Sequence, residues 1–445
     1  MYPFLEEVPD PQRTTWNPCE NNTSMKKKEF QERLSCMAKK YGLYLVANLG
    51  TFEPCDPKRE WKCPKDGRYQ YNTNVAFDPT GRLVARYRKY HTFFSERVTF
   101  DTPTTVDYSF FDTPFGRFGT FVCFDVLFRE PAVTLIETWR VDSIAFSTAW
   151  INVLPIFDAV PFHAAFATAL NVNFLSANLH YLPMNITGSG IYEPKGTLVY
   201  RSDRKSTTGK LLTASVHDKA PIVVRHDVKF SRDVSWDKRY FRSTLFGDTY
   251  HFVTLASNKS VAAVCNKHVC CHLDYEFADT KPGEKYALGA FDGLHTLDGV
   301  YYIQVCSVLK CAGASREGCG APVKMADTHF RWLNLTGNFS SPYVSPSLVT
   351  SDVNQAPGQW EYDGRSLVSG RTKAGLLWAT LMARVYNRDN IVNIQPRPER
   401  EVRSDTSGVM SVMVAHCERC TVWLFAFCNA VALLASGGLL FVFGA

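Results

Sequence analysis

Cys123 closes the apolar run Gly119-Thr120-Phe121-Val122 and is followed by Phe124-Asp125. That spacing puts a thiol at the carboxyl end of a buried strand, where reacting groups of α/β sheets gather. A helix is expected from Glu130-Pro131, with Pro in its first turn, and its dipole would favour the thiolate. Cysteine counting points the same way. Of 14 cysteines, three lie in or just before an apolar tail, and ten of the rest can pair, leaving Cys123 over. An odd cysteine is either a reactive thiol or an inert core residue. Lys89 ends Arg86-Tyr87-Arg88-Lys89, where an ammonium can stabilise an oxyanion, and Glu96 follows seven residues on. His163 and His180 are candidate bases by residue type alone.

These residues need strands and helices to hold them. Tyr44–Leu49 reads as a buried strand. Asn74–Phe77 and Arg82–Tyr87 read as a hairpin around Asp78-Pro79-Thr80-Gly81, whose chemistry fits a type I turn. Strands are expected at Gly119–Val122, Asp142–Phe146 and Val172–Ala177. Helices are expected from Glu130, with Ala132, Val133, Leu135, Ile136 and Trp139 as the apolar face, and over His163–Leu170. Alternating strands and helices predict an α/β domain over 1–218. Residues 219–245 are charged and irregular, a linker. Short alternating runs and six cysteines over 246–390 predict a smaller disulfide-containing β-rich domain, followed by a polar stalk at 391–420.

The 445 residues carry a formal charge of +6 without a long basic run, so composition offers no case for nucleic acid. Cys417-Glu418-Arg419-Cys420 has no second pair or His cluster, so no metal is implied. Cysteine content and sequons at Asn21, Asn22, Asn185, Asn258, Asn334 and Asn338 point to an oxidising compartment. The stretch Met1–Glu7 nevertheless has no basic or apolar signal-peptide region. Residues 421–445 are uncharged and apolar; with small residues Ser404, Asp405, Ser407 and Gly408 upstream, they resemble a GPI-attachment signal. A single membrane span or a buried helix are the alternatives.

The strings WNPCENN (16–22), RLSCMA (33–38), CPKDGRYQYNTNVAFD (63–78), TFVCFDVLFREPAVTL (120–135), STAWINVLP (147–155), TGSGIY (187–192) and YALGAFDGLHTLDGVYYIQVCSVLKC (286–311) resemble the vanin and biotinidase branch of the nitrilase superfamily. The resemblance runs from residue 1 to about 390. It implies a nitrilase-type αββα sandwich, followed by the β-rich domain, and an amidase with a Glu-Lys-Cys triad and no cofactor. Cys123 corresponds to the nucleophile that forms a thioester. Lys89 and the Phe124 backbone N–H correspond to the oxyanion donors, and Glu96 to an accessory glutamate. The triad glutamate of the family precedes the position matching Tyr2. Glu6, Glu7 and Asp10 align with loop acids, so the chain as given is expected to lack its general base. That reading implies part of a longer active enzyme; an inactive short form or a non-catalytic surface ectodomain are the alternatives. Vanins hydrolyse pantetheine and are membrane-anchored, whereas biotinidase releases biotin from biocytin and is secreted. The tail and 172–175 and 188–192 look vanin-like, while 16–19 and 53–55 look closer to biotinidase. Trp150 and Tyr192, after strands, are placed as substrate-pocket candidates, with core packing as the alternative. Oligomeric state stays open.

Overall fold

In a computed structural model, the protein is described over residues 4–20, 29–217, 239–256, 258–313, 315–355, 359–389, 430–435 and 438–443. The stalk, Asn21, Asn22 and Ser404 to Gly408 lie outside these.

The first half contains α1 (Glu29–Tyr41), β1 (Tyr44–Pro54), β2 (Arg68–Phe77), β3 (Leu83–Arg88), β4 (Phe110–Thr113), β5 (Gly116–Val122), α2 (Thr134–Glu137), β6 (Ser143–Thr148), α3 (Ala159–Leu170), β7 (Asn173–Asn178), β8 (Ser189–Glu193), β9 (Gly196–Arg201) and β10 (Leu212–Ala214). The second half contains β11 (Tyr240–Leu245), β12 (Asp248–Thr254), β13 (Lys259–Asn266), β14 (Val269–Asp279), β15 (Tyr286–His295), β16 (Tyr301–Lys310), β17 (His329–Gly337), β18 (Val344–Thr350), β19 (Asn354–Gln355), β20 (Trp360–Tyr362), β21 (Ser366–Ser369) and β22 (Leu376–Arg384). Two more strands follow, β23 (Ala430–Ala435) and β24 (Gly438–Phe443).

Period-two patterning stacks these elements into layers. Strand side chains alternate between faces, and here each face has its own core. Leu45 and Ala47 of β1 pack toward α1 with Ala38 and Phe77, whereas Val46 faces the other sheet with Ala145, Leu175 and Ile191. Neighbours of those last three point the opposite way: Ile144, Phe146, Phe174 and Tyr192 pack with α3 and with Tyr301, Val305 and Trp378 of the second half. Leu288, Cys306 and Ala379 in turn face Leu273 and Leu335. The order is therefore α1, sheet β10-β24-β23-β1-β2-β3, sheet β4-β5-β6-β7-β8-β9, the α2 and α3 layer, then sheets β11-β12-β15-β16-β22-β18-β19 and β13-β14-β17-β21-β20. The αββα sandwich and the β-rich domain are both present, fused through a common core on the α3 side.

Five disulfides use the ten cysteines expected to pair: Cys19–Cys36, Cys55–Cys63, Cys265–Cys270, Cys271–Cys306 and Cys311–Cys319. Cys271–Cys306 joins the two sheets of the C-terminal sandwich through its core.

Three expectations are corrected. Residues 240–245, read as linker, form β11 and pair with β12. The helix from Glu130 does not form as read. Glu130 is extended (φ −99°, ψ 127°), as the residue before a proline prefers, and only 134–137 is α-helical. Ala132, Val133, Leu135 and Ile136 are buried, but Trp139 is exposed and packs on Phe110. In the tail, the buried helix weighed as an alternative to a GPI signal gives way over the described backbone, where β23 and β24 form a hairpin whose first strand pairs antiparallel with β1. No helix among the described residues is long and apolar enough to cross a membrane. Of the sequons described, Asn185 and Asn258 are exposed, while Asn334 and Asn338 are half-buried on or beside β17.

Candidate active site

Cys123 leaves β5 in the left-handed region, φ 50°, and opens a single tight turn over Cys123–Leu127. A non-glycine residue seldom adopts that backbone, and surrounding contacts must hold it there. Asp125 supplies them. Its carboxylate accepts the Val122 N–H (3.2 Å), the Tyr87 hydroxyl (2.8 Å) and the His91 N–H (2.8 Å). The turn is thereby tied to the end of β3 and the loop beyond it. Burial pushes the Asp125 carboxyl up to about 7, against the opposing charge of Lys89.

Lys89 follows β3, and its backbone N–H donates to the Asn72 carbonyl (2.8 Å). Its ammonium is 1% exposed and paired with Glu96 Oε2. Glu96 also accepts the Phe93 N–H (2.7 Å) and Asn72 Nδ2 (2.7 Å), so its carboxylate is fully engaged in orienting the lysine. Burial alone would favour neutral Lys89; the charges of Glu96, Cys123 and Asp125 outweigh it and hold the group protonated. Behind Asn72 a ladder of amides crosses the sandwich. Asn48 Nδ2 donates to Asn72 Oδ1 and Asn74 Oδ1, and Asn74 Nδ2 donates to Thr120 Oγ1. The two sheets are thus keyed together beneath the lysine.

Cys123 is the free cysteine among the described residues. A thiolate favoured by a helix dipole was expected. Instead burial pushes the thiol up, with Lys89 pulling it down and Glu96 pushing it up; contacts with Thr148 and the Ala149 backbone also favour the thiolate. The dipole expectation falls with the helix from Glu130 that was to supply it.

Neither histidine touches this group. His163 is buried under β7 with Nδ1 2.9 Å from Ser176 Oγ, and burial holds it down to about 3. His180 is engaged by Thr187 Oγ1 and the Ser206 carbonyl. Glu6 accepts the Phe30 and Gln31 N–H groups at the start of α1. Trp150 and Tyr192 lie in the core on the α3 side: the Trp150 indole N–H donates to the Phe157 carbonyl (2.8 Å), and Tyr192 is fully buried. A shallow cleft opens at the same end of the sheet, beside β7 and β8, lined by Asn178, His180, Thr187, Arg201 and Lys210.

Sequence reading missed Asp125, Asn72 and His91. Their partners are tens of residues away, and no local spacing marks them. Among the described residues no cluster suited to a metal ion is found.

A thiol beside a buried, carboxylate-held ammonium suits addition of sulfur to a carbonyl, with the cation receiving the developing oxyanion. Residues 14–218 match the carbon-nitrogen hydrolase family, and residues 239–389 match the vanin C-terminal domain. The chain is 43% identical to the pantetheinase of Homo sapiens over 87% of its length and 76% of that protein's. It is 42% identical to that of Canis lupus familiaris, over 93% and 80%. It is 40% identical to the biotinidase of Mus musculus, over 87% and 80%. Sandwich and match define a carbon–nitrogen hydrolase acting on linear amide bonds. Within that class, the chain belongs to the vanin and biotinidase branch of the nitrilase superfamily.

Proposed function

We propose that this hydrolase cleaves pantetheine to pantothenate and cysteamine, with Cys123 as nucleophile. The observation that carries the mechanism is the free thiol on a left-handed turn with Lys89–Glu96 acting on it. Sulfur attacks the amide carbonyl, and the carbonyl π pair moves onto oxygen beside the Lys89 ammonium and the Phe124 N–H. Collapse expels the amine, which carries off the proton the thiol gave up, and leaves a thioester; water then hydrolyses it, its hydroxyl going to the acyl carbon and its proton back to sulfur. Proton transfer needs a base that Glu96, held by three donors, is poorly placed to supply. Glu6 is likewise committed to α1.

The identity to pantetheinases, and the 172–175 and 188–192 stretches, favour pantetheine. Biocytin is the second reading, supported by 40% identity to biotinidase. Release of cysteamine from pantetheine and of biotin from biocytin, measured side by side, decides between them. A higher kcat/KM on biocytin would overturn the first. Membrane attachment through residues 404–408 is part of the same proposal; retention on cells after phosphatidylinositol-specific phospholipase treatment would refute it.

A further inference from the structure

The turn that carries Phe124 is gripped from the second sandwich. The connection between β15 and β16 brings Gly299 onto the Phe124 ring. Gly299 has φ 151°, and a Cβ there would lie 2.5 Å from Phe124 Cζ and 3.2 Å from Tyr301 Cε1. The Phe124 ring is caught edge-on by Phe93, Phe128 and Tyr301 at centroid distances of 5.3, 5.1 and 6.4 Å. Phe93 is the residue whose N–H holds Glu96. At the other end of the turn, Arg384 of β22, 4% exposed, donates through Nε to the Leu127 carbonyl (2.7 Å). Its remaining nitrogens are fixed by the Tyr302 carbonyl and Asp389. The 295–301 connection is itself pinned. His295 Nε2 donates to the Leu297 carbonyl (2.5 Å), and Nδ1 lies 2.7 Å from Asp248 Oδ2.

We propose that the C-terminal sandwich positions the oxyanion-binding turn, with Gly299 setting the Phe124 ring and Arg384 setting the Leu127 carbonyl. The two act through Phe124 and are positioning residues. The proposal rests on the oxyanion role given above to the Phe124 N–H. It makes the second domain a working part of the catalytic site, because displacing the ring rotates the N–H that its residue presents.

The test separates oxyanion binding from turnover and from thiol access. An aliphatic aldehyde adds reversibly to Cys123. The S–C bond forms, the carbonyl π pair moves to oxygen, and that oxygen either takes the thiol proton or stays anionic beside Lys89 with the proton released to water. Iodoacetamide alkylates the same sulfur without forming an oxyanion. In the full chain, Gly299→Ala is expected to weaken the aldehyde adduct about tenfold or more, on the scale of a displaced oxyanion donor. Alkylation should stay within about twofold of the parent, since it needs no such donor. Gly283→Ala also places an alanine at positive φ (88°) but with open space around the added methyl, and should leave both unchanged. Trimming the ring, Phe124→Leu, in the Gly299→Ala background should restore adduct affinity to that of Phe124→Leu alone. The proposal is overturned by undiminished adduct affinity in Gly299→Ala, by equal losses in the two glycine variants, by a loss shared with alkylation and thermal midpoint, or by a parent protein that forms no adduct. A parent that forms the adduct yet has a higher kcat/KM on biocytin than on pantetheine refutes the substrate reading and leaves the positioning intact.

Discussion

The sheet that carries Cys123 and the sandwich that follows it are made rigid by opposite means. Strands β4 to β9 contain no disulfide, and geometry at the thiol is set by Asp125, by the Lys89–Glu96 pair and by the amide ladder. The C-terminal sandwich holds three disulfides, one of them through its core. Charges are buried in both, but they are arranged differently. Lys89, Glu96 and Asp125 converge on one turn, whereas the half-buried Lys310–Glu284 pair and the buried Asp292 each close on their own neighbours. The difference teaches that covalent bridges hold the second sandwich, whereas buried polar contacts alone fix the geometry around the thiol. Arg384 and the His295–Asp248 pair are the second sandwich's contribution to the boundary between the two.

The comparison breaks most directly at the thiol. Cys123→Ala should abolish amide hydrolysis with an unchanged circular dichroism spectrum; residual turnover would move the nucleophile elsewhere. Lys89→Met should cut kcat by about 10²–10³ for lack of the oxyanion cation. It should also destabilise the fold by about 3–5 kcal/mol, because Glu96 is left buried without its partner. Denaturant titration and steady-state assays read the two effects separately. Cys271→Ala with Cys306→Ala removes a bridge across 35 residues and should cost about 3–4 kcal/mol. Its kcat should not change; a large fall would mean the C-terminal core reaches the turn more strongly than Gly299 and Arg384 alone.

The smallest effect concerns acid. His163 has its folded pKa depressed to about 3 from the usual 6.5. Below pH 6.5 the unfolded chain takes a proton that the folded chain refuses, so stability is full above that pH and is lost as pH falls toward 3. At pH 5 the loss is about 2 kcal/mol. His163→Phe should flatten stability against pH between 4 and 7 by about one proton; an unchanged slope would place the acid sensitivity at His91 instead, held at about 4 by burial.

Much of this was legible in the sequence, for identifiable reasons. Short apolar runs placed β1 and β5, and the Asp78-Pro79-Thr80-Gly81 turn chemistry placed the β2–β3 hairpin, so Lys89 and Cys123 emerged at strand ends. Counting cysteines isolated Cys123. What could not be read were contacts of long sequence separation. Asp125 meets Tyr87 across 38 residues, and Arg384 meets Leu127 across 257. Neither spacing nor residue type announces such a pair. The helix expected at Glu130 failed because Pro131 forces its predecessor into extended backbone. The thiolate expected from that helix failed with it, and burial took over.

The enclosure that raises the Cys123 thiol has a consequence for its survival among oxidised neighbours. Disulfide exchange and oxidation to sulfenic acid both proceed through the thiolate and demand access to sulfur. A half-buried sulfur whose proton is held more tightly than usual reacts slowly with small disulfides in bulk solvent. An amide carbonyl seated against Lys89 presents a local acceptor that a passing glutathione disulfide does not. The same burial that slows the resting thiol therefore favours one cysteine staying reduced in a chain where ten others are joined.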